Sequence, residues 1–262
     1  MNAKLKKILK PLALLLLNLG FDPRKLSSYK YLRRYKKDKK EWLNQGGNIT
    51  RTHMILFDYF DNAGNDKGHY FHQDLLVAKL IHENKPKRHI DIASRVDGFV
   101  AHVASFREIE VFDVRPLLKS EHENIKFRQA DLMNPQDLGK TDSISCLHAI
   151  EHFGLGRYTD KIDIDGHNKG ITNLVSLVSN GGRLYISFPI GQKDEVYFNA
   201  HRVFNTNTIF EHPSIKKSMK LVRFDYVDDD GNLHLNSKVV DVKAETKFGC
   251  GIYTFQKVNN AL

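Results

Sequence analysis

The alternation of strand-like and helix-like segments in the middle of the chain constrains its fold most. Five short apolar runs have the length and composition of buried strands, and they cover residues 89–93, 110–114, 125–130, 143–147 and 183–189. Apolar residues at helical spacing lie before and between these runs, over residues 71–81, 99–106 and 171–178. Strands that alternate with helices form a mostly parallel sheet covered on both faces, so the sequence predicts a doubly wound α/β fold.

The size and the cysteine content agree with this class. The chain has 262 residues, of which 41% are hydrophobic, enough for one α/β domain and an appendage. Cys146 and Cys250 both lie in apolar, strand-like sequence, and no CxxC pair is present. The sequence therefore predicts two buried thiols in a reducing compartment, with no disulfide and no metal centre.

The charge is distributed very unevenly. Residues 1–45 contain 13 lysines and arginines against three acids, a net charge of +10, while the whole chain carries only +9. The remainder is therefore nearly neutral, which argues against a dispersed basic groove and against a nucleic-acid partner. The change in composition predicts a basic extension over residues 1–45 and an α/β domain over residues 46–262.

The first residues of the extension suggest an amphipathic helix. Leucines and one isoleucine recur at helical spacing between Leu5 and Leu19, and lysines flank them. The apolar run is too short to span a bilayer, which needs about 20 residues. Two interpretations stay open: a helix lying on an anionic membrane surface, or a helix docked on the protein's own core. The chain is expected in the cytoplasm, at the inner membrane in the first interpretation.

Residues at the strand ends resemble class I methyltransferases in their order and spacing. The matching segments are Asp91–Gly98 after the first strand, Asp113 ending the second, Ala130-Asp131-Leu132 after the third, Leu147–Phe153 after the fourth and Asn180–Ile186 entering the fifth. The resemblance implies a seven-stranded sheet whose last strands, near residues 221–226 and 251–256, have no crossover helix between them. It also implies that S-adenosylmethionine is bound by Asp91, Ala93, Ser94, Arg95, Gly98, Asp113, Asp131 and Leu132.

The resemblance extends to a narrower group. The segments Asp91–Phe99, Phe112–Leu117 and Ile150–Tyr158 are similar to those of a bacterial methyltransferase-like family of unknown function. That family is often associated with surface-polysaccharide gene sets, so the resemblance implies a role in glycan assembly and does not specify a reaction.

The first loop departs from the methyltransferase pattern. Small residues after the first strand let the backbone approach a nucleotide, and an acid ending the second strand accepts hydrogen bonds from the ribose hydroxyls. This loop offers only Ala93, Ser94 and Gly98, and Arg95 and Val96 add bulk. A retained fold with a lost cofactor site is therefore an alternative to S-adenosylmethionine binding.

Catalytic candidates follow the fourth strand. His148, Glu151 and His152 lie where the carboxyl end of the sheet should bind its ligand. A histidine there can receive a substrate proton, with Glu151 orienting it. The same residues match the HxxEH zinc pattern, but that pattern requires a helix, and here it starts at the end of a strand. A capping glutamate and a packed histidine are the alternative.

Two further segments complete the candidate site. The insertion Gly154–His167 carries several aspartates, lacks the glutamate of a calcium loop, and is expected to cover the substrate. His201 and Arg202 lie in an aromatic segment, where His201 is a second candidate base and Arg202 a candidate anchor for phosphate or carboxylate.

These observations predict an S-adenosylmethionine-dependent O-methyltransferase that acts on a saccharide or a lipid-linked glycan precursor. Two alternatives stay open: a non-catalytic module with the same fold, and another transferase or hydrolase that uses a nucleotide-sugar.

Overall fold

The computed structural model describes residues 20, 23–117, 120–135, 137–242 and 245–258. The chain divides into two compact units, Met1–Asn65 and Asp66–Leu262, where composition alone suggested a boundary after residue 45. The amphipathic helix predicted between Leu5 and Leu19 lies outside the described residues.

The first unit is helical and then irregular. A 3-10 helix, Pro23–Tyr31, leads into helix α1, Leu32–Asn44, none of whose residues is buried. The chain then runs without regular structure to Asn65. Within the described part of the chain, no helix has the length and apolar character needed to cross a membrane.

The second unit contains the sheet and its helices. Its first half comprises helix α2 (His69–Asn84), β1 (His89–Ile92), α3 (Ala101–Ala104), β2 (Ile109–Asp113), β3 (Ile125–Gln129), β4 (Thr141–Leu147), α4 (Gly166–Leu177) and β5 (Val178–Gly191). A π-helical turn, Val96–Val100, leads directly into α3. The second half comprises β6 (Glu195–Tyr197), β7 (His201–Asn205), α5 (Thr208–Glu211), α6 (Pro213–Ser218), β8 (Met219–Val227), β9 (Leu233–His234) and β10 (Gly249–Lys257).

The strand order confirms the predicted fold class. The order along the sheet is β3-β2-β1-β4-β5-β10-β8-β9, with β1 to β5 parallel to one another. Strand β10 lies antiparallel between β5 and β8. The doubly wound, mostly parallel sheet and the terminal strand pair without a crossover helix are therefore confirmed.

The predicted number of seven strands is wrong. In the described residues the sheet has ten, because β7 pairs with the end of β5, β6 pairs with β7, and β9 extends the edge beyond β8. These additions are only 3, 5 and 2 residues long for β6, β7 and β9. Strands β6 and β9 contain too few residues for a period-two pattern to be recognised. Strand β7 is as long as β2, but its buried residues form a continuous run that includes Arg202 and does not alternate.

Apolar side chains cover both faces of the sheet. On one face Val77 and Ile81 of α2 and Val103 of α3 pack in one cluster with Ile109 and Ile252. On the other face Leu174 of α4, Ile209 of α5 and Ile215 of α6 pack in one cluster with Ile144 and Leu184 of the strands. In β1 and β4 apolar and polar residues alternate, so both strands could be recognised from this period of two although both of their faces are buried.

Candidate functional site

A cavity of about 580 Å³ lies at the carboxyl ends of β1 to β4. Its wall is built from α2, the loops after these four strands, and the insertion after β4. This edge is where open α/β sheets bind ligands, and the volume is within the usual range of about 300–1,000 Å³ for small-molecule sites. We call the part lined after β1, β2 and β3 the acid end, and the part lined by His148 and His152 the histidine end.

Asp91 lies behind the cavity wall and binds the first loop through hydrogen bonds. The Ser94 N–H and hydroxyl donate to its carboxylate at 3.0 and 2.9 Å, and the Ser145 hydroxyl donates to the same group. Burial raises the pKa of Asp91 to about 7, although these hydrogen bonds act in the opposite direction. The carboxylate is fully buried and does not line the cavity, whereas Ala93, Ser94, Arg95 and Gly98 do.

Ala93 takes the backbone conformation that a glycine normally supplies. Its φ is 62°, in the left-handed region, and its N–H donates to the Phe112 carbonyl at 2.8 Å. A residue with a Cβ pays roughly 1–2 kcal/mol for this conformation. The glycine-poor sequence of the first loop therefore does not prevent a glycine-like turn.

Gly98 keeps space between the first loop and α2. A Cβ at Gly98 would lie 3.2 Å from Oδ2 of Asp74. Asp74 lines the cavity, and burial raises its pKa to about 6, opposed by the hydrogen bond from the Gln73 amide at 3.1 Å. Asp74 was not among the predicted site residues, because its burial depends on tertiary contacts that the apolar spacing of α2 does not reveal.

Asp113, the acid predicted to bind ribose, is bound to Arg115. The Arg115 Nε donates to the two carboxylate oxygens at 3.0 and 3.1 Å, and its backbone N–H donates to Oδ1 at 2.8 Å. The Arg115 guanidinium also lies over the Tyr158 ring, 4.5 Å from its centroid. Asp113 thus lines the cavity with its charge partly neutralised.

The residues after β3, which the resemblance assigns to the cofactor, line the acid end. The carboxylate of Asp131 accepts hydrogen bonds from the Met133 N–H at 2.9 Å and the Asn134 amide at 2.8 Å. These bonds hold the turn that places Leu132 in the wall of the cavity. The predicted cofactor residues are therefore brought together, with Asp91 behind them.

His148 has the most constrained position at the histidine end. Its φ is 48°, and its N–H donates to the Ser187 carbonyl at 3.0 Å. Its Nδ1–H donates to Oε1 of buried Glu151 at 2.8 Å. Within the described residues, Nε2 of His148 and Oε2 of Glu151 are buried without a hydrogen-bond partner. Glu151 thus fixes the position of the His148 ring and lies behind the cavity wall.

His152 lines the cavity next to the insertion. Its Nδ1–H donates to the Ala200 carbonyl at 2.8 Å, and its ring contacts Tyr158 edge-on at 5.5 Å. Asp160 holds the insertion, because its carboxylate accepts hydrogen bonds from the N–H groups of Gly154, Gly156 and Tyr158. The insertion contributes Arg157, Tyr158 and Asp160 to the wall, as expected of a covering loop.

His201 and Arg202 lie outside the cavity wall. The His201 ring packs against Tyr197 and Phe248, 5.2 and 5.1 Å away. The Arg202 guanidinium is buried and donates to the carbonyls of Glu151 and Phe153 at 3.3 and 2.7 Å. Arg202 therefore supports the segment after β4 and does not line the cavity.

Comparison with known sequences identifies a family without an assigned role. Residues 125–248, just under half of the chain, match the family described as "Caenorhabditis protein of unknown function, DUF268". No curated protein matches the sequence.

Comparison with solved structures identifies the fold. An S-adenosylmethionine-dependent methyltransferase from Clostridium acetobutylicum ATCC 824 aligns over 78% of this chain and 97% of its own, with 14% identity and a TM-score of 0.50. The [4+2]-cyclase SpnF aligns over 82% of this chain and 90% of its own, with 12% identity and a TM-score of 0.50. The chain thus has the class I methyltransferase fold, on which this [4+2]-cyclase is also built, so the fold by itself does not specify the reaction.

Proposed function

We propose that this chain binds S-adenosylmethionine in the cavity and methylates a small-molecule acceptor. The observation that carries the proposal is the cavity itself, which combines a left-handed turn after β1, an acid ending β2 and an acid after β3 in a methyltransferase fold. When bound, S-adenosylmethionine supplies a methyl group on a sulfonium, and the protein contributes alignment and charge.

The acid end fits the polar groups of this cofactor. A carboxylate has about four acceptor positions, and Arg115 uses only some of those on Asp113, so ribose hydroxyls can donate to the others. Asp74 lines the wall beside Gly98 and is placed to pair with the ammonium of the methionine part. Leu132 and Phe112 offer apolar surface for the adenine.

The acceptor is proposed to lie at the histidine end. Tyr158 offers an aromatic face, and Arg157 and His152 offer polar groups beside it, a combination that suits a saccharide. The resemblance to a family associated with polysaccharide genes supports the same substrate class. A hydroxyl acceptor must lose its proton during transfer, so a group at this end has to receive the proton or lower the pKa of the hydroxyl.

Calorimetric titration of the full chain with S-adenosylhomocysteine tests cofactor binding. We expect saturable binding that weakens at least tenfold in Asp113→Asn and is unchanged in Glu108→Gln, an exposed acid outside the cavity. Absence of binding at millimolar ligand would refute the proposal and favour a module with a lost cofactor site.

Methyl transfer needs a separate assay. Labelled S-adenosylmethionine is incubated with the protein and with a polysaccharide extract, and label is followed into the glycan fraction. Binding of the cofactor without transfer to any glycan would rule out a saccharide acceptor but would not contradict the proposed cofactor site.

We also propose that the basic extension attaches the protein to an anionic membrane. Helix α1 has no buried residue, and its lysines and arginines stand beside the exposed side chains of Trp42 and Leu43. Cations next to exposed apolar groups are attracted to anionic lipid surfaces. Flotation with vesicles tests this: binding should require anionic lipid, and equal flotation with neutral vesicles contradicts the electrostatic part.

A further inference from the structure

Three residues that are far apart in sequence meet at the carboxyl edge of the sheet. His69 is the first residue of α2, His148 follows β4, and Cys250 is the second residue of β10. One ligand atom from each of the three lies within 4.8 Å of those of the other two. The antiparallel direction of β10 brings Cys250 to this edge, because it places Cys250 opposite Pro189 near the end of β5.

His148 has one nitrogen available for a ligand. Glu151 binds Nδ1, which leaves Nε2 buried and without a partner among the described residues, in a side chain that is only 5% exposed. A buried polar atom without a partner destabilises the folded state until a ligand satisfies it. The left-handed backbone of His148, held by Ser187, adds strain of the kind that is concentrated at functional sites.

The hydrogen bond between Glu151 and His148 is of the kind that metal-binding histidines make with a neighbouring carboxylate. A histidine that binds a metal usually donates its other ring N–H to a carboxylate or carbonyl, which fixes the tautomer and the ring orientation. In the neutral imidazole the same bond leaves the lone pair of His148 on Nε2, the nitrogen that a metal would bind in place of a proton.

We propose that His69, His148 and Cys250 bind a zinc ion beside the histidine end of the cavity. Two imidazoles and a thiolate are ligands that zinc prefers, and three protein ligands leave a fourth position for water or substrate. Zinc–nitrogen distances of about 2.0–2.1 Å and zinc–sulfur distances of about 2.3 Å would require the ligand atoms to move inward by about 1 Å.

This site differs from the HxxEH pattern that the sequence contains. That pattern would use His148 and His152, but Nδ1 of His152 is bound to the Ala200 carbonyl, and His152 does not belong to the cluster. The expectation from the sequence was no metal, and His69, His148 and Cys250 share no spacing typical of zinc ligands.

The site also suggests how an acceptor is activated. His148 lines the cavity, so an ion bound to it would be close to the acceptor proposed there and would lower the pKa of a coordinated hydroxyl. This consequence rests on the proposed function, whereas metal binding itself does not.

Metal titration of the full chain tests the site in the absence of S-adenosylmethionine. After dialysis against a chelator, zinc is titrated in competition with a chromophoric chelator, and cobalt(II) is then substituted for it. We expect one equivalent of metal per chain and a thiolate-to-cobalt charge-transfer band. Cys250→Ser should abolish the band and weaken zinc binding at least a hundredfold, and Glu151→Gln should weaken it about tenfold.

The control variants are Cys146→Ser and His167→Gln, which remove a cysteine and a histidine outside the cluster. Because the chain has only two cysteines, a band retained in Cys146→Ser assigns the thiolate to Cys250 even if Cys250→Ser fails to fold. A missing band in the wild-type protein, or a band lost in Cys146→Ser with normal folding by circular dichroism, would overturn the proposal. Binding of S-adenosylhomocysteine, measured separately, distinguishes this failure from failure of the proposed function.

Discussion

The two ends of the cavity differ in how their polar groups are satisfied. At the acid end each carboxylate already accepts hydrogen bonds from the protein: Asp91 from Ser94 and Ser145, and Asp113 from Arg115. At the histidine end Nε2 of His148 and Oε2 of Glu151 have no such bond within the described residues.

The acid end is therefore a preformed surface, whereas the histidine end has polar groups that need a ligand. Groups held by protein hydrogen bonds keep their geometry before a ligand arrives, which lowers the entropy cost of binding. Buried groups without partners are destabilising until a ligand satisfies them. We therefore expect changes at the acid end to alter cofactor affinity and stability, and changes at the histidine end to alter metal binding.

The largest expected effect concerns Asp91, the buried support of the acid end. Its pKa is about 7 in the folded chain and near 3.8 unfolded, so between these values the folded state binds more protons. Stability should fall as pH rises through this window, by up to roughly 4 kcal/mol at ~1.4 kcal/mol for each pKa unit.

Denaturant unfolding at several pH values measures this effect. Asp91→Asn should flatten the fall between pH 4 and 7, while Asp97→Asn, at an exposed position in the same loop, should retain it. Parallel pH profiles for the wild type and Asp91→Asn would show that burial of Asp91 does not set the pH dependence.

Replacement of Asp113 tests whether the preformed acid end binds the cofactor. Asp113→Asn removes the charge that pairs with Arg115 and accepts ribose hydroxyls, so affinity for S-adenosylhomocysteine should fall by 10- to 100-fold. Calorimetry gives the affinity, and circular dichroism confirms the fold. Wild-type affinity in this variant would place the ribose elsewhere.

The pH dependence of cofactor binding tests the role proposed for Asp74. With a pKa of about 6 in the free protein, its carboxylate becomes protonated as pH falls below 6 and can no longer pair with an ammonium. Affinity for S-adenosylhomocysteine should therefore decrease from pH 8 to pH 5. Asp74→Asn should bind about tenfold more weakly at pH 8 and lose this dependence; an unchanged profile would assign the titration to another group.

The smallest expected effect is at Ala93. Ala93→Gly relieves the left-handed strain at φ 62° but increases the freedom of the unfolded chain, so the net gain should be about 0.5–1 kcal/mol. Thermal unfolding measures it. A loss of stability would indicate that contacts of the methyl group outweigh the strain.

Helix α2 could be predicted from the sequence, but the polar residues that it buries could not. The apolar spacing over residues 71–81 predicts this helix, and it forms over His69–Asn84. Yet Phe71 and Leu75 are exposed, while Gln73 and Asp74 are buried. Periodicity identified the helix, but a polar pair buried against the cavity cannot be recognised from hydropathy, because its burial depends on partners such as Ser187, whose hydroxyl donates to Gln73.

In the candidate site, too, some positions could be predicted from the sequence and others could not. The residues after β1, β2 and β3 could be predicted, since the carboxyl ends of parallel strands share one edge. The position of Arg202 could not, because its guanidinium binds carbonyls of a segment some fifty residues earlier in the chain.

The sequence by itself determined the parallel sheet, its order of elements and the loops that line the acid end, because strands buried on both faces and turns at their ends have local patterns. Only the tertiary structure decided which polar groups find partners. Arg115 neutralises Asp113, whereas His69, His148 and Cys250 converge from α2, β4 and β10. Contacts between residues so distant in the chain have no periodicity; they exist only after the strands have packed in register.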